Sequence, residues 1–493
     1  MRWLSLVLLV ACSGDDDKDG GTAPSPIDTA TVDTTTTPTG TSLPTDSTGS
    51  TASTGSTGIT GDTGGGTGHT GLAIVQLSNV LGAVHPELGS LVEVSWSQNQ
   101  PADVFVEYSY DKGEWHRSPA RSLDAGPHEE LLLGVPYGTD VTWRVVVDGG
   151  VSSAEQVTTT DPLPTMPVPF VNTLVASEVD ADADHVLVSV TSASLGSPWW
   201  VLILDRQGRV VWARQSDPNR TSLHPRLSHD GTRILHDQNA FWALFSLSEG
   251  SVQKIAIDGT LDHEWLTPGL HHPHQEMPDG SLAYGAFTGA YQESLIVVSP
   301  NGSVENLWDC NAWAASAGAS AFCASNTLNY DEATDTFLFS FWTYETVVQI
   351  DGQGNTLRWF GHAPGSYSFS PADSAFWFQH GAHLTPQGTL LISTHQAEQD
   401  VSLVAREYTI DTVNEQLVEV WNAGVDQGIA GQQMGDAYRT PGGHTLQTYG
   451  TQARMREYQP NGAVVWDVSF VGAALIGRAT ALPDLYELAP PRL

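Results

Sequence analysis

The chain has 493 residues, 40% of them hydrophobic and 15% charged, with 56 Asp and Glu against 20 Lys and Arg and a formal net charge of −36. That balance argues against general binding to nucleic acid, whose phosphates would repel it; it implies a soluble, monomeric chain, with the oligomeric state itself left open. The acidity is not confined to one end, because residues 72–493 keep 48 acidic against 18 basic side chains.

Residues 1–11 read Met-Arg-Trp-Leu-Ser-Leu-Val-Leu-Leu-Val-Ala. One positive charge followed by a short apolar run is the pattern of an export signal, and the run is too short to span a bilayer. It ends in Leu9-Val10-Ala11-Cys12, which resembles a bacterial lipobox; an ordinary signal with an incidental cysteine is the alternative. The expectation is that Cys12 is lipidated and anchors the chain to a membrane. Ser13 in place of Asp leans towards the outer membrane, facing the periplasm or the cell surface. Residues 12–71 are an acidic patch followed by Thr, Ser, Gly and Pro without an apolar period. Such a segment buries too little surface to offset its ordering entropy and reads as a tether. Of the three cysteines, Cys12 would carry lipid, leaving Cys310 and Cys323 to form a disulfide in an oxidising compartment.

Residues 72–164 alternate apolar and polar positions in short runs such as Leu91–Trp96, Val104–Tyr108 and Val141–Val145, separated by turn residues. About seven strands in some 90 residues suit a β-sandwich of fibronectin or immunoglobulin type, a spacer or docking module. Asp161-Pro162-Leu163-Pro164 marks its end. Residues 165–493 carry a repeat. One half is a turn and a strand with tryptophan, at Trp212, Trp265, Trp308, Trp359, Trp421 and Trp466. The other is a hairpin turn, at Gly231, Gly280, Gly388 and Gly443, with Asp331–Asp335 standing in for it in the third interval. Six all-strand units of about 50 residues predict a six-bladed β-propeller. A seventh blade from residues 170–200 and the C-terminus is the alternative. The fold class is therefore all-β throughout.

In a propeller the strand before each hairpin lines the centre. His272 lies eight residues before Gly280, and His380 eight before Gly388, so both face one axial pocket. The segments His271–Gly280 and Phe378–Gly388, the Gly-x-Val-Val-Trp strand ends and the tail Arg478–Tyr486 resemble the bacterial arylsulfotransferases. These are secreted enzymes that use aryl sulfates as donors. The resemblance covers most of 165–493 and implies transfer of a sulfuryl group to a phenolic acceptor through a sulfohistidine, with no cofactor. It implies His380 as nucleophile, His272 as its support and Asn326 as a substrate-binding residue. Two family positions depart from the pattern. Ala324 stands where histidine is expected, and Trp342 stands where arginine is expected; Arg226, Arg439 and Arg478 are the candidates to replace that cation.

Other readings of the same residues remain. His271, His272 and His274 could be packed structural histidines, as could His383 and His395. A metal site is not expected, because no HxxxH helix or carboxylate-rich loop accompanies them. The partners expected are small phenols and aryl sulfates. The alternative function is a catalytically inactive binding or scaffolding propeller, favoured by Ala324 and Trp342; a tethered adhesin is a third reading.

Overall fold

The computed structural model describes residues 74–111, 113–192, 197–240, 249–289 and 292–490. The leader, Cys12 and the tether lie outside these residues. Residues 72–493 form one compact unit. It is all-β, with many small antiparallel sheets and, among the described residues, a single α-helix, Cys310–Ala317.

The N-terminal part folds as two antiparallel sheets. One orders Leu77–Val84, Val92–Gln98 and Gly126–Leu132; the other is built on Ala102–Ser109 and Asp140–Val147. Alternation in Val92–Gln98 buries Val92, Val94 and Trp96 while Glu93 and Ser95 turn outward, as a half-buried strand should. Those three pack with Val104, Val106, Tyr108, Val141, Trp143 and Val145 of the second sheet. Leu88, Leu91, Leu131 and Leu133 join a different core with Leu187, Val201, Ile203 and Trp212, which fixes the N-terminal sheets against the strands of residues 185–215.

The rest of the chain lays down six sheets in succession, antiparallel except where Ser368–Ser370 joins the edge of the fifth in parallel, and the repeat maps onto them strand by strand. The six tryptophans fall on the fourth strands, Val210–Gln215, Leu261–Leu266, Val304–Asp309, Thr356–Gly361, Gln416–Ala423 and Val464–Val471. Trp212 and Trp466 are fully buried, and each indole N–H donates to a backbone carbonyl of the adjoining sheet, Ile257 and Arg206 respectively. The hairpin glycines join first to second strands with φ between +71° and +88°. The fourth sheet reaches the same left-handed region with Asp335, at φ +50°, one of the few side chains that tolerate it.

The ends of this region cross over. Strand Val168–Leu174 pairs with Val464–Val471 at the edge of the sixth sheet, and the C-terminal strand Ala473–Leu482 pairs with His185–Ser192 to complete the first. Residues 170–200 and the C-terminus thus complete sheets one and six, and the described residues hold no seventh sheet in this region. The helix begins at Asp309, whose carboxylate caps the Ala312 amide, and ends at the left-handed Gly318, the usual N-cap and C-cap chemistry. It carries Cys310, which is disulfide-bonded to Cys323 as expected.

Closing a loop of 13 residues removes unfolded-chain entropy worth about 3 kcal/mol. Replacing both cysteines by alanine should lower stability by about that amount in denaturant titrations. An unchanged midpoint would show that the cross-link contributes nothing.

Candidate functional site

Five first strands and the C-terminal strand meet at the centre of the six sheets. They are Arg226–Leu227, Leu270–Glu276, Ser325–Asp331, Trp377–Leu384, Asp436–Arg439 and Ala473–Leu482. Each sends polar side chains into a buried interior. A circuit of hydrogen bonds and one ion pair runs around it. Arg226 Nη1 donates to the carbonyls of His274 (2.5 Å) and Leu328 (3.0 Å), and Nη2 to Asn329 Oδ1 (2.9 Å) and to Gln275 Oε1. Asn329 Nδ2 donates to Ala382 O at 2.5 Å. His383 Nε2 donates to Asp436 Oδ1 at 2.8 Å, and Asp436 Oδ2 lies 3.4 Å from Arg478 Nε. The backbone N–H of Arg478 closes the circuit on Leu223 O at 2.8 Å.

His272 and His380 lie within electrostatic range of each other. Both are buried, and His380 is among the like charges that hold the His272 imidazole well below its ordinary value, after burial itself. His271 stacks edge-on against His272 at 4.2 Å and His224 does so at 5.0 Å. Four histidines from three first-strand segments therefore crowd one interior.

His380 is held from both sides. The strand is irregular on each side of it, and Phe378 adopts φ +46°, a conformation rare for an aromatic residue and of a kind that collects at functional sites. Asn326 Nδ2 donates to Gln379 O at 2.5 Å, and Gly381 N donates to Thr327 Oγ1 at 2.8 Å. Asn326 therefore fixes the backbone beside His380. Burial pushes the His380 imidazole down to about 4, so it is neutral at pH 7. Its Nδ1 faces the Phe378 carbonyl at 3.3 Å. A carbonyl can only accept, so the proton sits on Nδ1 and Nε2 keeps the lone pair.

Trp342 belongs to an aromatic wall. Its ring meets Phe378 edge-on at 5.3 Å and Phe322 at 5.9 Å, while Phe378 lies 5.5 Å from His380 and stacks on His395 at 4.9 Å. Ala324 is buried. Of the three candidate cations, Arg226 and Arg478 reach the centre. Arg439 instead pairs with Glu407 and lies over Trp421 at 4.8 Å. His383 is a satisfied histidine, and the Asp436 carboxyl is held at about 2 by Arg478 and His383 in spite of its burial. The described residues hold no group of three or more His, Cys, Asp or Glu able to take a metal ion. They also hold no helix long and apolar enough to cross a membrane.

Sequence reasoning missed Asp436, Thr327 and Asp237. Asp237 accepts from Ser222 Oγ, from the amides of Leu223 and His224, and from Asn239 Nδ2, and so sets the segment carrying His224. Asp436 carried a signal: it sits seven residues before hairpin glycine Gly443, one place from the position compared for histidine.

Residues 319–471 match the family model described as arylsulfotransferase. No curated protein matches the chain. Among solved structures, a protein of unknown function from Bacteroides caccae is 13% identical with a TM-score of 0.41, covering 60% of this chain and 98% of its own. The virginiamycin B lyase of Staphylococcus aureus is 11% identical with a TM-score of 0.36, covering 64% and 99%. The periplasmic gluconolactonase PpgL of Pseudomonas aeruginosa is 14% identical with a TM-score of 0.38, covering 78% and 100%.

The buried histidines have a consequence for stability. Desolvation holds His236, His271 and His274 at about 3, His380 at about 4, and His224 and His272 well below 6.5. Below pH 6.5 the unfolded chain takes up protons that the folded chain refuses, so stability falls as pH drops towards 4. Each fully refused proton contributes about 1.4 kcal/mol per pH unit. Burial raises Asp237 to about 6 and Glu293 to about 7, and these two oppose the six histidines. The urea midpoint should therefore drop between pH 7 and pH 4.5, and His274→Gln should flatten the drop. A flat wild-type profile would contradict the buried neutral histidines.

Proposed function

We propose that the chain is an arylsulfotransferase-like enzyme built as an N-terminal β-sandwich of fibronectin or immunoglobulin type (72–164) and a six-bladed β-propeller (165–493). The observation that carries the reading is a buried, neutral His380, within residues 319–471 that match that family's model, with His272 in its electrostatic range. The His380 Nε2 lone pair attacks the sulfur of an aryl sulfate, the bond from sulfur to the aryl oxygen breaks, and a phenolate leaves. An acceptor phenol then attacks the same sulfur, the N–S bond breaks, and the acceptor proton passes to a base in the centre. His272 supports the charge that develops on the sulfuryl oxygens. The wall of Trp342 and Phe378 beside His380 suits the aryl ring. Asn326 acts by holding the backbone next to His380.

A second reading is a binding propeller without turnover. It is favoured by Ala324 and Trp342, since losing one fixed donor to a developing charge costs about 10²–10³ in rate. Incubation with a nitrophenyl sulfate and a phenol separates the two. Released nitrophenol and a transient sulfuryl group on His380, seen by mass spectrometry, are expected from the wild type. His380→Ala should abolish both and His272→Ala should slow them. Trp342→Arg with Ala324→His should raise the rate. Absence of donor cleavage in the wild type and in that double variant would leave the binding reading.

The leader and tether extend the proposal to the cell envelope: residues 1–11 are removed, Cys12 is lipidated, and residues 12–71 tether the globular part to the outer membrane. Mass spectrometry of membrane-extracted protein should show a lipidated N-terminal Cys12. A mature chain that keeps the leader would refute this.

A further inference from the structure

Beside the histidines, the centre holds more positive charge than the proposed reaction needs. Two guanidinium groups are buried there, Arg226 and Arg478. The groups facing them are Asp436, the phenol of Tyr438, and three histidines, His224, His274 and His383, all held below their ordinary value by burial. Among the described residues Asp436 is the one carboxylate paired with either arginine. Two fixed cations against one carboxylate leave one positive charge uncompensated in a low-dielectric interior, a costly state unless an anion joins it.

The hydrogen bonds point the same way. Arg226 directs its donors to four acceptors of the neighbouring strands. Arg478 is only 4% exposed, yet Nε and Nη1 have no hydrogen-bond partner, and the nearest carboxylate oxygen lies 3.4 Å from Nε. Thr480 Oγ1, two residues along the same strand, and His224 Nδ1 are likewise buried without a partner. His224 lies within electrostatic range of Arg478. His274 is not a further donor, because its Nδ1 proton faces the His272 carbonyl at 3.2 Å and leaves Nε2 as an acceptor. Buried donors of this kind are rarely left unmade.

We propose that Arg478, Thr480 and His224 form a binding site for a small tetrahedral oxyanion of the sulfate class, beside the His272–His380 pair and adjoining it where His224 meets His272 edge-on at 5.0 Å. The guanidinium supplies charge and a planar fork of N–H groups, the threonine a hydroxyl and the neutral imidazole an N–H. Asp436, itself bonded to His383, faces the guanidinium at 3.4 Å from Nε without making a hydrogen bond to it. The site does not depend on sulfuryl transfer at His380.

Isothermal titration of the purified protein with sodium sulfate, against sodium chloride at equal ionic strength, tests it. Saturable sulfate binding is expected in the wild type. Arg478→Met should weaken it by about tenfold or more, as expected for a charge-assisted hydrogen bond. Thr480→Val, which removes only the hydroxyl donor, should weaken it by about threefold to tenfold, and is the deciding variant if Arg478→Met does not fold. His380→Ala should leave sulfate affinity within about twofold, since a residue outside the contact shell contributes little. Three results would overturn the site: no saturable binding in the wild type, the same affinity in Thr480→Val, or a loss in His380→Ala as large as in Arg478→Met. The last would put the anion at the histidine pair and leave the proposed reaction standing.

Discussion

The Arg226 guanidinium is the interaction on which the centre depends. A buried guanidinium is tolerable only when its donors are met, and here two carbonyls and two side-chain oxygens meet them, all from the strands of the next two sheets. The same bonds tie sheets two, three and four together at their innermost strands. Asn329, itself an acceptor for Arg226, passes the link to the fifth sheet through Ala382 O, and His383 passes it to the sixth through Asp436. An apolar centre would hold these strands by contact alone. A polar one fixes their register, because moving any first strand by one residue would leave several buried groups unpaired. The price is a centre that must stay polar, and that is the condition under which reactive side chains can be kept there.

Burial gives these side chains their character. Away from water, imidazoles lose the protonated form, so a cluster of histidines that would repel one another as cations coexists as neutral rings. The tautomers are then set one at a time by carbonyls: Phe378 O for His380 and His272 O for His274. In His380 this leaves the lone pair on Nε2. Asn326 and Thr327 act on the backbone on either side of His380. They fix residues 379 and 381, so the side chain between them inherits its direction from two backbone bonds to the neighbouring sheet.

The parts that could be read in the sequence are the local and periodic ones. A tryptophan on the fourth strand of all six sheets and a left-handed residue in the first hairpin of five recur because the sheets solve the same two local problems, packing against the next sheet and turning tightly. His272 and His380 could be aligned because each precedes a hairpin glycine by the same count. Arg478 offered no such anchor: its strand arrives from the C-terminus, pairs with His185–Ser192 and has no following hairpin. Its place at the centre is a consequence of closure between residues nearly 300 apart, which no local pattern records. Asn326 kept its predicted neighbourhood, but its amide is engaged by a backbone carbonyl, a partner that residue identity alone does not specify.

The acidic exterior and the cationic centre are compatible because they act over different distances. At physiological salt, exposed charges are screened within about 8 Å, so the net charge of −36 lowers the encounter rate of anions without reaching into the interior. Inside, screening is weak and the two guanidiniums act at full strength on whatever enters. Such a combination disfavours large polyanions, which must lie across the surface, more than compact anions that can pass inward. An aromatic wall beside the histidines adds a second requirement, a ring to stack on it. Trp342 thereby contributes ring contact, while the fixed positive charge of the centre comes from arginines on other strands.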